Sequence, residues 1–99
     1  MVRKNAPLFL SELPDDEVVT SLVEPISHKS RFAMLKALSS GSMTFKEFSE
    51  LTGTKGGHLL YHVEKLVDAG LVAKIDGGSR YSITDRGMGV MDLVKKMYT

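Results

Sequence analysis

The sequence of 99 residues contains no cysteine. This absence excludes disulfide bonds, thiolate zinc sites and cysteine nucleophiles together. It fits a chain that works inside the cell, and we expect a cytoplasmic protein. Long apolar runs are missing as well, since the short stretch Leu8–Leu10 ends at Ser11 and Glu12. A signal-peptide core and a membrane-spanning helix both need longer runs, so the sequence predicts no membrane partner.

A strong charge of one sign is also lacking, because the net charge is only +1. The sum combines unlike parts: residues 1–25 carry −3 and residues 26–99 carry +4. The basic remainder is compatible with nucleic acid but supports it only weakly. The length is that of one domain, which we place at 15–99 after an extended or disordered segment at 1–14.

The first half of the predicted domain begins with two helices. Asp15–Glu17 place carboxylates where a helix N-terminus favours negative charge, and apolar residues follow at four-residue spacing. We predict that this helix continues to about Glu24 and that Pro25 stops it. A second helix is predicted at about 28–39, with Ser27 as its N-cap.

The middle of the chain has the pattern of a helix-turn-helix unit. Thr44 and Glu47 form a capping box that starts a third helix over about 45–52. Gly53 ends that helix and begins a tight turn. A fourth helix follows over about 55–69 and turns three apolar residues inward: Leu59, Val63 and Leu66. Two helices joined by a short turn that contains glycine are typical of this unit.

A hairpin and a closing helix complete the predicted fold. Strand-like residues at 71–75 and 80–83 flank the turn sequence Asp76-Gly77-Gly78-Ser79. Thr84 can cap a last helix that extends to about Tyr98. The predicted fold class is therefore mainly α with a small β-hairpin wing, a winged helix-turn-helix.

Four segments, in this order, are similar to pieces of one known family: residues 27–32 (SHKSRF), 43–48 (MTFKEF), 59–72 (LLYHVEKLVDAGLV) and 81–87 (YSITDRG). On these segments the stretch from Ile26 to Met97 resembles the winged-helix domains of the ArsR family and their MarR-like relatives. The resemblance implies a DNA-binding transcriptional regulator with a recognition helix and a wing.

The resemblance also raises the question of metal binding. Members of the family often sense metals through cysteine pairs on the third helix or through histidine and carboxylate ligands on the last. Here Thr44 and Lys46 occupy the matching third-helix positions, and the last helix has Asp92 but no histidine. His58 and His62 lie four residues apart, but the glutamate of a zinc-protease motif is absent. We therefore expect no metal and no other cofactor.

The predicted recognition helix, residues 55–69, would lie in the major groove, and the wing, residues 76–80, on the DNA backbone. Lys55 can neutralise a phosphate, His58 and Tyr61 can donate to base edges or phosphate, and Leu60 can touch a thymine methyl. The full predicted set of DNA contacts is Thr54, Lys55, Gly56, Gly57, His58, Leu60, Tyr61, His62, Lys65 and Arg80. The alternative is an ordinary solvated helix face and hairpin.

Two members of that set have open alternatives. Gly56 and Gly57 either let backbone N–H groups approach a phosphate or satisfy the backbone angles of the turn. His62 is expected to be partly buried and hydrogen-bonded, with DNA contact as its other role.

The terminal helices carry more apolar residues than packing on one core requires. We predict a homodimer through them, with interface residues Val18, Leu22, Val90, Met91, Val94, Met97 and Tyr98. Such a dimer would present two recognition helices to half-sites about 34 Å apart. A methionine-rich ligand groove is the alternative.

The sequence thus predicts a sequence-specific regulator of transcription that binds double-stranded DNA. The alternative is a winged-helix module that binds protein and not DNA, which the mild net charge and the outward Leu60 favour. No nucleophile–base pair, phosphate loop or carboxylate pair has a catalytic setting, so we do not expect an enzyme.

Overall fold

In the computed structural model, which describes residues 9–99, helices come first, an antiparallel hairpin follows and one helix closes the fold. The helices are α1 (residues 15–26), α2 (Lys29–Leu38), α3 (Phe45–Thr52), α4 (Gly56–Asp68) and α5 (Asp85–Tyr98). Strands β1 (Val72–Ile75) and β2 (Arg80–Ile83) lie between α4 and α5. The predicted winged helix-turn-helix is confirmed.

The N-terminal segment predicted at 1–14 lies mostly outside the described residues. Of its remainder, Leu10–Glu12 form a single 3-10 turn. No helix formed by residues 9–99 is long and apolar enough to cross a membrane.

Helix α1 does not end at Pro25, so that prediction is wrong. The helix is α-helical over Asp15–Val18, π-helical over Val19–Val23 and α-helical again over Glu24–Ile26. In the π-helical turn the N–H of Glu24 donates to the carbonyl of Val19, five residues back. This wider turn comes directly before Pro25. It shifts the backbone hydrogen bonds by one residue, at the point where a regular α-helix would need a bond from the N–H that proline lacks. The buried Pro25 is therefore accommodated inside the helix.

The N-cap of α2 also differs from the prediction. His28, not Ser27, caps the helix, because its Nδ1 accepts the N–H of Ser30 at 3.0 Å. Ser27 instead donates its hydroxyl to the carbonyl of Glu24 at 2.7 Å and so belongs to the end of α1. The two helices are thus joined by two residues, both of which form local hydrogen bonds.

The helix-turn-helix unit forms as predicted. The Thr44 hydroxyl accepts the N–H of Glu47 at 3.1 Å, and the Glu47 carboxylate accepts the N–H of Thr44 at 2.8 Å. Gly53 ends α3 with a φ of 72°, a left-handed conformation that favours glycine. Leu51, on the same helix, is 45% exposed and does not join the core.

One core holds the helices and the hairpin together. Its buried members are Met34, Leu35, Leu38, Phe48, Leu59, Val63, Leu66, Leu71, Val72 and Tyr81. All three residues predicted to turn inward from α4 are among them. The rings of Phe48 and Tyr81 lie 5.6 Å apart and connect α3 to the hairpin.

The hairpin is attached to the helices by its backbone as well. Val72 pairs with Ile83 and Ile75 with Arg80, and Tyr81 forms a further antiparallel bridge with Met43. The two hydrogen bonds of this bridge measure 2.8 and 3.0 Å. Since Met43 directly precedes Thr44, the N-cap of α3, the bridge sets the position of the hairpin relative to the helix-turn-helix unit.

Helix α5 begins against the hairpin at a point where only glycine fits. Thr84 caps the helix by accepting the N–H of Gly87 at 3.0 Å. A Cβ atom on Gly87 would meet the carbonyl oxygen of Leu71 and would lie 2.6 Å from Cγ1 of Ile83. The start of α5 is therefore packed too closely for any side chain.

We predict that Gly87→Ala lowers the free energy of unfolding by about 1–3 kcal/mol, because the added methyl group must displace backbone or the Ile83 side chain. The control is Gly89→Ala in the same helix, where an added Cβ meets nothing within 4 Å. Alanine favours a helix by up to about 1 kcal/mol over glycine, so the control should be at least as stable as the wild type. Urea denaturation measures both. Equal stability of the Gly87 variant and the wild type would contradict the close approach.

Candidate nucleic-acid interface

The first half of α4 is buried on one side and exposed on the other. Leu59 is 0% exposed, whereas Leu60 is 47% and Tyr61 56% exposed. The exposed residues at this end form what we call the α4 outer face: Lys55, Gly56, Gly57, His58, Leu60 and Tyr61. Most of the predicted DNA contacts therefore lie together, and Thr54 is half-buried beside them.

The turn before α4 explains one of its two glycines. Gly56 has a φ of 60°, a conformation that disfavours other residues, so the backbone of the turn requires it. Gly57 has no positive φ, and a Cβ there would meet nothing within 4 Å. For Gly57 the remaining alternative is that a bare backbone leaves room for an approaching group.

The N-terminus of α4 suits an anion. Lys55 is the N-cap residue, but its side chain makes no capping hydrogen bond. The first N–H groups of a helix have no partner within the helix, and the helix dipole places partial positive charge there. Within residues 9–99 the exposed Lys55 forms no ion pair. A phosphate oxygen would find both a cation and backbone donors at this end.

His62 does not lie on the α4 outer face. Its Nδ1 lies 2.9 Å from Nη1 of Arg31, and its ring centroid lies 4.3 Å from that of His28. Burial lowers the pKa of His62 from its ordinary value of 6.5, and nearby His28, Arg31 and His58 lower it further. The expectation of a partly buried, hydrogen-bonded His62 matches this position, while DNA contact by this ring stays a prediction.

Lys65 joins α4 to α1. Its Nζ lies 2.9 Å from Oε1 of Glu24 and 5.5 Å from the ring centroid of Tyr61. The hydrogen bond between the two charged groups is the largest cause both of the lowered pKa of Glu24 and of the raised pKa of Lys65. Lys65 is therefore paired with Glu24, and contact of Lys65 with DNA stays a prediction.

The cations of the hairpin are held by neighbouring side chains. Arg80 donates from Nε to the hydroxyl of Ser42 and from Nη2 to its carbonyl, both at 2.9 Å. Its Nη2 also lies 3.7 Å from Oε1 of Glu47, and Lys74 lies 3.5 Å from Glu64. The tip itself, residues 76–79, carries a carboxylate and no cation. Contact of Arg80 with phosphate stays a prediction.

Six of the seven predicted dimer residues line two grooves along α5. A groove of about 370 Å³ separates α1 from α5, and its walls include Leu22, Val90, Val94 and Met97. A groove of about 680 Å³ separates α2 from α5, and its walls include Met91, Val94 and Tyr98. Val18 lines neither.

Sequence reasoning missed two residues of the α1–α5 groove and one buried residue, Arg31. Val23 and Leu93 line the α1–α5 groove and are 49% and 59% exposed. Helical spacing already places Leu93 four residues before Met97, so the signal for it was present. Arg31 is only 5% exposed, and no periodicity identifies its position, because a buried arginine is defined by the acceptors that other elements bring to it.

Comparison with known proteins identifies the same architecture. The family model described as "Helix-turn-helix domain" matches residues 26–75. NolR from Sinorhizobium fredii is 21% identical, with a TM-score of 0.73 and coverage of 94% of this chain and 96% of that one. The transcriptional repressor BigR from Xylella fastidiosa is 20% identical, with a TM-score of 0.66 and coverage of 85% and 88%.

An ArsR family transcriptional regulator is likewise 20% identical, with a TM-score of 0.65 and coverage of 84% of this chain and 90% of that one. No curated protein matches the sequence. At this level of identity the solved structures share the fold, and the resemblance to ArsR-type winged helices is confirmed for the fold.

We predict that Arg80→Met lowers the free energy of unfolding by about 1 kcal/mol, because two hydrogen bonds to Ser42 are lost. Lys74→Met is the matched control, since it removes an exposed ion pair worth about 0–1 kcal/mol and usually near zero. Thermal and urea unfolding compare the two variants. If Arg80→Met were no less stable than Lys74→Met, the attachment of Arg80 to Ser42 would not contribute to stability.

Proposed function

We propose that this chain, which belongs to the helix-turn-helix family whose model matches residues 26–75, is a transcriptional regulator that binds double-stranded DNA in a sequence-specific manner. The observation that carries the proposal is the exposed α4 outer face, which directly follows the turn at Gly53. Helix-turn-helix proteins place this second helix in the major groove.

The dimensions and chemistry of α4 fit that groove. Its 13 residues span about 20 Å at 1.5 Å per residue. His58 and Tyr61 offer donors to base edges, and Leu60 offers an apolar contact to a thymine methyl. Lys55 and the first backbone N–H groups of α4, which begins at Gly56, bind the adjacent phosphate.

The hairpin follows α4 and acts as the wing at the DNA backbone. Arg80 donates hydrogen bonds from Nε and Nη2 to Ser42. Since an arginine has five N–H donors, others remain for a phosphate. Ser79 at the exposed tip donates its hydroxyl to the carbonyl of Asp76 at 2.8 Å and so offers no donor to a phosphate.

The active form is a homodimer through α1 and α5. Exposed apolar side chains gather at the α1–α5 groove, where Met97 is 79%, Leu93 59% and Val23 49% exposed. Burial of such a surface against a second copy supplies apolar stabilisation at about 25 cal/mol per Å². The two copies of α4 then face half-sites about 34 Å apart.

A second candidate function is a protein-binding module without DNA affinity. The observation that favours it is the large apolar part of the α4 outer face, since Leu60 and Tyr61 are both about half exposed. A titration without any duplex affinity at low salt would support this candidate over the first.

We predict that the triple variant Lys55→Ala, His58→Ala, Tyr61→Ala binds DNA at least about 100-fold more weakly, because each contact to a base edge is worth about 1–3 kcal/mol. The measurement is fluorescence anisotropy with duplexes selected from a random library. Lys46→Ala is the control: it removes one exposed cation from α3 and leaves the α4 outer face intact. Wild-type affinity should fall steeply between about 50 and about 200 mM salt. If the triple variant bound the selected duplex with unchanged affinity, α4 would not be the DNA-binding helix.

We predict that Met97→Asp converts the dimer to a monomer and weakens DNA binding, because a carboxylate would be buried in the interface without a partner. The side chain is 79% exposed within one chain, so the fold of the monomer should remain intact. Sedimentation velocity measures the oligomeric state. Lys96→Asp, on the adjacent exposed position, is the control and should remain dimeric. Sedimentation of the wild type as a monomer at every concentration would contradict the dimer.

A further inference from the structure

Arg31 is the one charged residue that is buried among residues 9–99, and its contacts join three helices. From α2 its Nε donates to the carbonyl of Pro25 at 2.7 Å, and its Nη2 donates to the carbonyl of Glu24 at 3.1 Å. Its Nη1 lies 2.9 Å from Nδ1 of His62 on α4. The last turn of α1 and the middle of α4 are therefore held by one guanidinium.

The chemistry of arginine determines the state of His62. A guanidinium has only donors and stays protonated at all ordinary pH values. The Nδ1 atom of His62 must therefore accept the hydrogen bond, so the ring is neutral and carries its proton on Nε2. Within the described residues no carboxylate forms an ion pair with Arg31. Its charge is balanced by the carbonyls at the end of α1, which is the negative end of that helix dipole.

Protonation of His62 removes this contact. A protonated ring has no acceptor, and it would place a second cation 2.9 Å from the guanidinium. Arg31 is only 5% exposed and bound to two carbonyls, so it has little room to withdraw.

Among residues 9–99 no carboxylate forms an ion pair with His62 that would offset the new charge. His28, the N-cap of α2, lies with its ring centroid 4.3 Å away, and His58 stands one turn earlier on α4. The Tyr61 ring lies 5.6 Å away and meets the His62 ring edge-on. The carboxylate of Glu24, near the end of α1, is bound to Lys65 at 2.9 Å.

We propose that Arg31 and His62 are positioning residues for DNA binding, and that protonation of His62 breaks the contact that joins α4 to the end of α1 through Arg31 and weakens the affinity for DNA. The inference rests on the proposed function, in which α1 contacts the second copy and α4 contacts the DNA. A rigid link between the two helices sets the spacing of the paired α4 helices, so loss of the link lowers the fraction of molecules that match the half-sites.

The direction of the pH effect follows from the lowered pKa of His62. The stabilisation that the neutral ring provides is fully present above the ordinary value of 6.5 and is lost as the pH falls through the lower pKa of the folded protein. His58 is a second histidine of α4 and lies on the α4 outer face, so it is kept in both proteins that the test compares.

The test measures duplex affinity by anisotropy from about pH 7.5 to about pH 5 at constant ionic strength, in the wild type and in His62→Gln. Both proteins contain His58, so its contribution cancels when their pH profiles are compared. We expect the affinity of the wild type, relative to that of His62→Gln, to fall by about threefold or more over this range, because a glutamine oxygen can accept from Arg31 and does not titrate. Equal pH profiles of the two proteins would overturn the inference.

An NMR titration of the histidine rings separates this inference from the proposed function. In the free protein the His62 ring should titrate below 6.5, and Arg31→Met should raise its pKa, because a neighbouring cation is removed. An unshifted His62 would overturn the positioning contact. If the protein binds DNA and His62→Gln leaves the pH profile unchanged, the inference is refuted and the proposed function is not. Absence of duplex binding at every pH would refute the proposed function and the inference with it.

Discussion

The orientation of α4 depends on one packing constraint, the burial of Leu59, Val63 and Leu66 on a single side of the helix. All three are at most 1% exposed, and burial of each such side chain contributes about 1.5–3 kcal/mol. Turning α4 about its axis would expose this stripe to water. Burial of the three side chains therefore determines which side of α4 faces the solvent. The α4 outer face is exposed because the opposite face of the helix packs in the core.

The rest of the structure holds this helix at both ends. At the N-terminal end, the capping box of α3 and the turn at Gly53 set the angle at which the chain enters α4. At the other end, the hairpin is bound to Met43 and to the start of α5, where Gly87 allows backbone contact. A third attachment comes from α1 through Arg31 and Lys65. The surface that we assign to DNA is thus supported from three directions.

Local signals in the sequence predicted much of this arrangement correctly. The capping box at Thr44, the cap at Thr84 and the glycine at position 53 act within four residues of the chain, so their effect does not depend on distant parts. Pro25 was misjudged, because a π-helical turn allows this buried residue inside α1. The cap of α2 was misplaced by one residue, since Ser27 and His28 are both capable acceptors.

The sequence by itself determined the order of the elements, the winged fold and the inward stripe of α4, because periodicity and caps are local properties. Only the tertiary structure decided which polar side chains are available at the surface. His62, Lys65 and Arg80 all belong to the predicted DNA-binding set, yet each finds its partner far along the chain, at Arg31, Glu24 and Ser42. Such pairs form when separate elements meet in space, and spacing along one helix or strand contains no information about them.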